Sequence, residues 1–89
     1  MLSIFRTNTF KKDLKKISSN DKELLKRVVT KLANVEPLEK KLWDHKLTGN
    51  WKNCRECHIK PDLLLIYKID KNRKELALVR IGKHSSLFK

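Results

Sequence analysis

Residues 63–67 read Leu-Leu-Leu-Ile-Tyr, and this apolar run limits the fold more than any other stretch of the chain. Successive strand side chains point to opposite faces, so an unbroken apolar run is buried on both. Residues 63–69 are therefore expected to be the central strand of a sheet, covered on both sides or nearly so. The flanking sequence supplies partners. Residues 51–59 read as a strand that reverses at Pro61-Asp62, where proline presets φ. A polar turn over 70–74 leads to a further strand over 76–81 that ends at Gly82. Residues 2–6 form a short strand, centred on Ile4 and Phe5.

Two helices precede the central strand. Phe10, Leu14 and Ile17 recur at helical spacing after the capping candidates Thr7, Asn8 and Thr9. Lys11, Lys12, Lys15 and Lys16 fall between them. The run Ser18-Ser19-Asn20-Asp21 breaks the pattern, and Asn20 with Glu23 resembles a capping box. Leu24, Leu25, Val28, Val29, Leu32 and Val35 then make a broad stripe that ends before Pro37. The short break predicts an antiparallel helical hairpin. The order is β-α-α-β-β-β. It predicts an α+β fold with the hairpin packed on one face of a small, mostly antiparallel sheet. The first strand needs a partner for its backbone, either the last strand or the central one. The 89 residues suit a single domain over 1–89 with a small core.

Lysine and arginine total 22 against 10 acidic residues, a net charge of +12. That excess points to a polyanionic partner such as RNA, or to an acidic protein. No apolar run is long enough to span a membrane and no secretory segment follows Met1, so a cytoplasmic protein is expected. The segment Cys54-Arg55-Glu56-Cys57-His58 imitates a haem-attachment or metal motif. On a strand, however, Cys54 and Cys57 point to opposite faces, where they share neither a metal nor a disulfide. No metal and no cofactor is expected.

Strand parity instead gathers Cys54, Glu56 and His58 on one face. Asp62 follows in the turn, and Arg80 and Gly82 share a face of the last strand, with His84 just beyond. The connector over 37–50 carries Trp43-Asp44-His45, an unusual load for a loop. With strands ~4.8 Å apart, these groups can converge at one end of the sheet. The set suits RNA cleavage without a metal. Histidine serves as base or acid near neutrality, arginine grips phosphate oxygens, and an aromatic such as Phe88 stacks on a base.

The quoted residues carry a resemblance. Asp44-His45, Leu47, Gly49, Trp51, Arg55, His58, Pro61-Asp62 and Leu65-Ile66-Tyr67, followed by Arg80, Gly82, His84 and Leu87-Phe88, resemble the YafQ branch of the RelE/ParE toxin superfamily. The resemblance implies a toxin of a type II toxin–antitoxin system. Such a toxin cleaves mRNA on the ribosome without a metal and is silenced by a cognate antitoxin. It also implies that His45, His58, Asp62, Arg80, His84 and Phe88 form the active site. His84 would be the general acid and Arg80 the phosphate anchor, with Asp62 or a neighbouring histidine activating the 2′-hydroxyl. Phe88 would pack near the bases or orient His84. Lys46, Lys52, Arg55, Lys60 and Lys83 are the cations expected to hold RNA. Two other readings are a ParE-like topoisomerase poison and a binder of RNA or ribosome without catalysis. The full His/Asp/Arg/His set argues against the first, since a binder has no need of it.

Overall fold

The computed structural model describes residues 1–51 and 53–87, with Asn50 described by its backbone alone. Lys52 and Phe88, both expected in the site, lie outside the described residues. The elements in chain order are β1 (Ser3–Arg6), α1 (Asn8–Leu14), α2 (Ser19–Ala33), β2 (His45–Lys46), β3 (Arg55–Lys60), β4 (Leu63–Asp70), β5 (Glu75–Gly82) and α3 (His84–Leu87). The sheet runs β1-β5-β4-β3-β2, with β1 parallel to β5 and the other pairs antiparallel. This is the expected α+β arrangement. β1 joins the last strand rather than the central one.

β4 lies at the centre because its first five residues are buried on both faces. Leu63, Leu65 and Tyr67 pack with Leu76, Leu78 and Ile81 against Phe10 of α1 and Leu25, Val28 and Leu32 of α2. Leu64 and Ile66 point the other way and are covered by Leu87 of α3, with Leu47, Trp51 and Val79 at the margin. The sheet thus has a helix-covered face and an open face that, among the described residues, is shielded by short segments.

Local chemistry sets the helix ends. The Thr7 hydroxyl accepts from the Phe10 N–H and donates to the Val79 carbonyl (2.8 Å), tying the start of α1 to β5 just past the end of β1. Ser18, not Asn20, caps α2: its hydroxyl accepts from the Asp21 N–H at 3.2 Å. The helix therefore begins two residues before the Asn20–Glu23 pair could act as a box. α2 ends at Ala33, and Val35 adopts a left-handed φ of 59° before Pro37.

Three segments depart from expectation. β3 begins at Arg55 because residues Gly49–Trp51 wind into a 3₁₀ turn that accepts the Cys54 N–H at Trp51 (2.9 Å). The connector over 37–50 contains β2, whose two residues gain strand geometry only by pairing with β3. The tail forms α3, which lays Leu87 over the open face. Although Cys54 precedes β3, the cysteines still part company. Cys57 packs on the helix side and Cys54 on the open side, both as free thiols.

Register decides which side chains share the open face. His45, Glu56, Ile66 and Arg80 form one row across β2, β3, β4 and β5. His58, Leu64 and Gly82 form the next.

Candidate active site

His45 and His58 approach each other over Glu56. Their Nε2 atoms lie 4.0 and 3.8 Å from Glu56 Oε2 and Oε1 respectively. Glu56 is only 4% exposed, so its carboxyl group sits in a largely dehydrated place beside two imidazoles. The separations are just beyond hydrogen-bond length and within range of strong electrostatic coupling. The ring of Trp43 lies against both histidines, with centroids 4.4 Å from His45 and 5.0 Å from His58. Trp43 is itself 63% exposed and adopts a left-handed φ of 46°.

The two imidazoles are held differently. His45 Nδ1 donates to the Trp43 carbonyl at 2.8 Å, which in the neutral ring leaves the Nε2 lone pair unprotonated and available. His58 Nδ1 is enclosed without a hydrogen-bond partner among the described residues, so its working nitrogen is Nε2. Parity foresaw Glu56 on the face of His58. It gave Glu56 no role, because burial of a charged residue on an open face is not visible in a strand pattern.

A second group lies around a cavity of about 650 Å³ at the end of the sheet, lined in part by Asp13, Lys60, Asp62, Arg80, Lys83 and Ser86. Arg80 does not stand free in that cavity. In the fold its guanidinium is gripped by Asp13 of α1 through Nε at 2.8 Å and Nη2 at 3.0 Å. Asp13 Oδ2 also accepts the Ile81 N–H at 3.2 Å. The hydrogen bonds that Arg80 donates to Asp13 raise its pKa above the ordinary value. Lys60 pairs with Asp21 at 3.0 Å. Asp62 is exposed in the β3–β4 turn and Lys83 is exposed before α3.

The structure therefore brings His45 and His58 together, and Asp62, Lys60, Arg80 and Lys83 around one cavity. Between the two groups stand Leu64 and Ile66 of β4, with Leu87 above them. Two strand spacings, ~10 Å, separate His58 from Gly82 in its row. His84 opens α3. Arg55 is committed elsewhere: its Nε donates to Asp44 at 3.0 Å on the helix-covered face, and Lys46 sits opposite it in register. Sequence reasoning missed Asp13, whose partner is 67 residues away. The one available hint was an acidic residue among the lysines of α1.

A family model described as a bacterial toxin of type II toxin–antitoxin system, YafQ, matches residues 2–89. The mRNA interferase toxin YafQ of Escherichia coli K12 is 39% identical over 82 residues, covering 89% of this chain and 87% of that protein. The crystal structure of a metal-bound toxin from Helicobacter pylori superposes with a TM-score of 0.91 at 51% identity, covering 99% of this chain and 100% of the other. The YafQ chain of the Escherichia coli DinJ–YafQ complex gives 0.87 at 36% identity, with both chains covered in full. The metal is a feature of the Helicobacter protein. Among the described residues here, no three His, Cys, Asp or Glu side chains are grouped to hold an ion. With the family model matching nearly end to end and these relatives covered almost completely, the chain belongs to the YafQ family of toxins of type II toxin–antitoxin systems.

Proposed function

We infer that this toxin is an endoribonuclease that cleaves mRNA on the ribosome in the cytoplasm, and that a cognate antitoxin binds and silences it. The observation that carries the reading is the pair His45 and His58, facing one buried carboxylate on the open face, in the rows that lead to Arg80 and Gly82. The named relatives add their weight: one is called an mRNA interferase, and another was solved with the protein DinJ.

In this mechanism the His45 Nε2 lone pair takes the 2′-hydroxyl proton, and the 2′-oxygen attacks the adjacent phosphorus. Arg80 stands three strand spacings, ~14 Å, from His45 along their row and offers Nη1, left over after Nε and Nη2 bind Asp13, to the RNA backbone; spreading the charge at the phosphorus attacked beside His45 requires the bound RNA to draw the two groups together. His84 donates a proton to the departing 5′-oxygen. The products are a 2′,3′-cyclic phosphate and a 5′-hydroxyl. His58 and Glu56 hold the electrostatic surroundings of His45, and Asp62 and Lys83 line the neighbouring cavity. With acid, base and cation all supplied by side chains, the reaction runs without a metal ion. Lys46, Lys60, Lys83 and the lysines of α1 draw the RNA backbone to the +12 chain.

The test is cleavage of RNA by purified toxin in excess chelator, alone and with translating ribosomes, followed by chemical identification of the new ends. Cyclic-phosphate ends that vanish in His45→Ala are the expected result. RNA binding without cleavage under both conditions would refute the enzymatic reading.

A further inference from the structure

Three motif residues, Asp44, Arg55 and Tyr67, take no part in the chemistry above. The fold joins them into one unit. Asp44 Oδ1 accepts from Arg55 Nε at 3.0 Å and from the Tyr67 hydroxyl at 2.6 Å. Arg55 and Tyr67 are cross-strand partners on β3 and β4. Tyr67 is fully buried, so its ring is a fixed point of the core. Burial first, and Asp44 second, push the phenol pKa upward, which keeps the hydroxyl a donor. Arg55 is likewise raised by its bond to Asp44.

The next residue in the chain is His45, on the opposite face of the sheet. The peptide group that joins Trp43 to Asp44 carries the carbonyl that accepts from His45 Nδ1. Whatever fixes Asp44 therefore fixes the plane of that carbonyl. External support is needed there, because Trp43 sits in a left-handed conformation that a non-glycine residue adopts at an energetic cost. The 3₁₀ turn before it, Lys40–Leu42, has no side-chain cap to hold it.

We propose that Asp44, Arg55 and Tyr67 are positioning residues that act through the Trp43–Asp44 peptide to hold His45 with Nδ1 protonated and Nε2 bare. The geometry joins a rigid core phenol, a carboxylate and a peptide carbonyl in sequence to the imidazole. It also gives Arg55 a task on the helix-covered face that does not involve RNA. The catalytic consequence rests on His45 being the base.

The experiment uses full-length toxin, with nitrogen-15 spectra of the His45 ring and cleavage kinetics measured on the same variants. Tyr67→Phe removes one hydroxyl and keeps the ring. Asp44→Asn keeps an acceptor oxygen, and Asp44→Ala removes it. The wild-type neutral ring is expected as the Nδ1–H tautomer. Tyr67→Phe and Asp44→Ala should give a mixture of tautomers and lower kcat about ten- to a hundredfold, as misplaced groups do, with little change in KM. Asp44→Asn should lie between wild type and Asp44→Ala. Should Asp44→Ala fail to fold, Tyr67→Phe still decides. An unchanged tautomer in folded Tyr67→Phe overturns the proposal, whatever cleavage does. A shifted tautomer with wild-type kcat supports the positioning and instead removes His45 from the role of base.

Discussion

Replacing Asp13 with alanine removes the acceptor of three hydrogen bonds at once: Arg80 Nε at 2.8 Å, Arg80 Nη2 at 3.0 Å and the Ile81 N–H at 3.2 Å. Two of them are charge-assisted, a class worth roughly 1.5–3 kcal/mol each. The side chain of Asp13 is 13% exposed and that of Arg80 26%, so in the variant water can reach the guanidinium and recover part of the loss. The Ile81 N–H recovers less, because Ile81 is buried. The expected net cost is about 2–3 kcal/mol, below the ~3–5 kcal/mol of a fully buried broken pair. For a domain of this length that is a fall in Tm of roughly 8–24 °C. Urea unfolding followed by circular dichroism measures it, and a cycle with Arg80→Ala isolates the pair. Arg80→Ala leaves Asp13 its bond to Ile81, so it should cost less, with a coupling of about 1–2 kcal/mol. A coupling indistinguishable from zero would mean that Asp13 does not hold Arg80 in solution. The guanidinium would then stand open to the cavity.

Four further outcomes follow from other sites. His84→Ala should lower cleavage ~10²–10⁴-fold while the circular dichroism spectrum stays that of the folded toxin. Lys71→Ala, in the exposed β4–β5 turn, should leave the rate unchanged. Trp43→Ala should weaken RNA binding by ~1–3 kcal/mol in a filter-binding assay, the range of one base–aromatic stack, since this exposed ring lies over both histidines. Burial pushes the Cys57 thiol up to about 12 from an ordinary 9.0, so at pH 8 native toxin should resist thiol alkylation at Cys57 and react there once unfolded. The sign of the linkage is that Cys57 supports the fold below pH 9 and withdraws that support as pH rises toward 12. Rapid alkylation of native Cys57 at pH 8 would contradict its burial.

Several features were legible because they depend on short-range pattern. The apolar run over 63–67 specified a strand buried on both faces, and it is the centre of the sheet. The stripe from Leu25 to Leu32 specified a helix with one buried side. Strand period alone set Glu56 and His58 on one face and Cys57 on the other. The residue types of the candidate site were legible too, since histidine and arginine announce their chemistry wherever they stand.

Tertiary structure decided which of these groups touch. β2 has no signal of its own, since two residues become a strand only when β3 lends them hydrogen bonds. β3 starts at Arg55 rather than at residue 51 because the 3₁₀ turn at Gly49–Trp51 competes for the same backbone groups. Arg80 shares its row with His45 and Glu56, yet its side chain reaches Asp13, which α1 delivers to the edge of β5. Asp44 finds Tyr67 across 23 residues, and Glu56 becomes buried between two imidazoles. Alternation and helical period are properties of a few neighbouring residues, so the sequence determines which face a side chain takes. Partners distant in the chain depend on strand register and on where a helix comes to rest, and those are settled when the whole core packs.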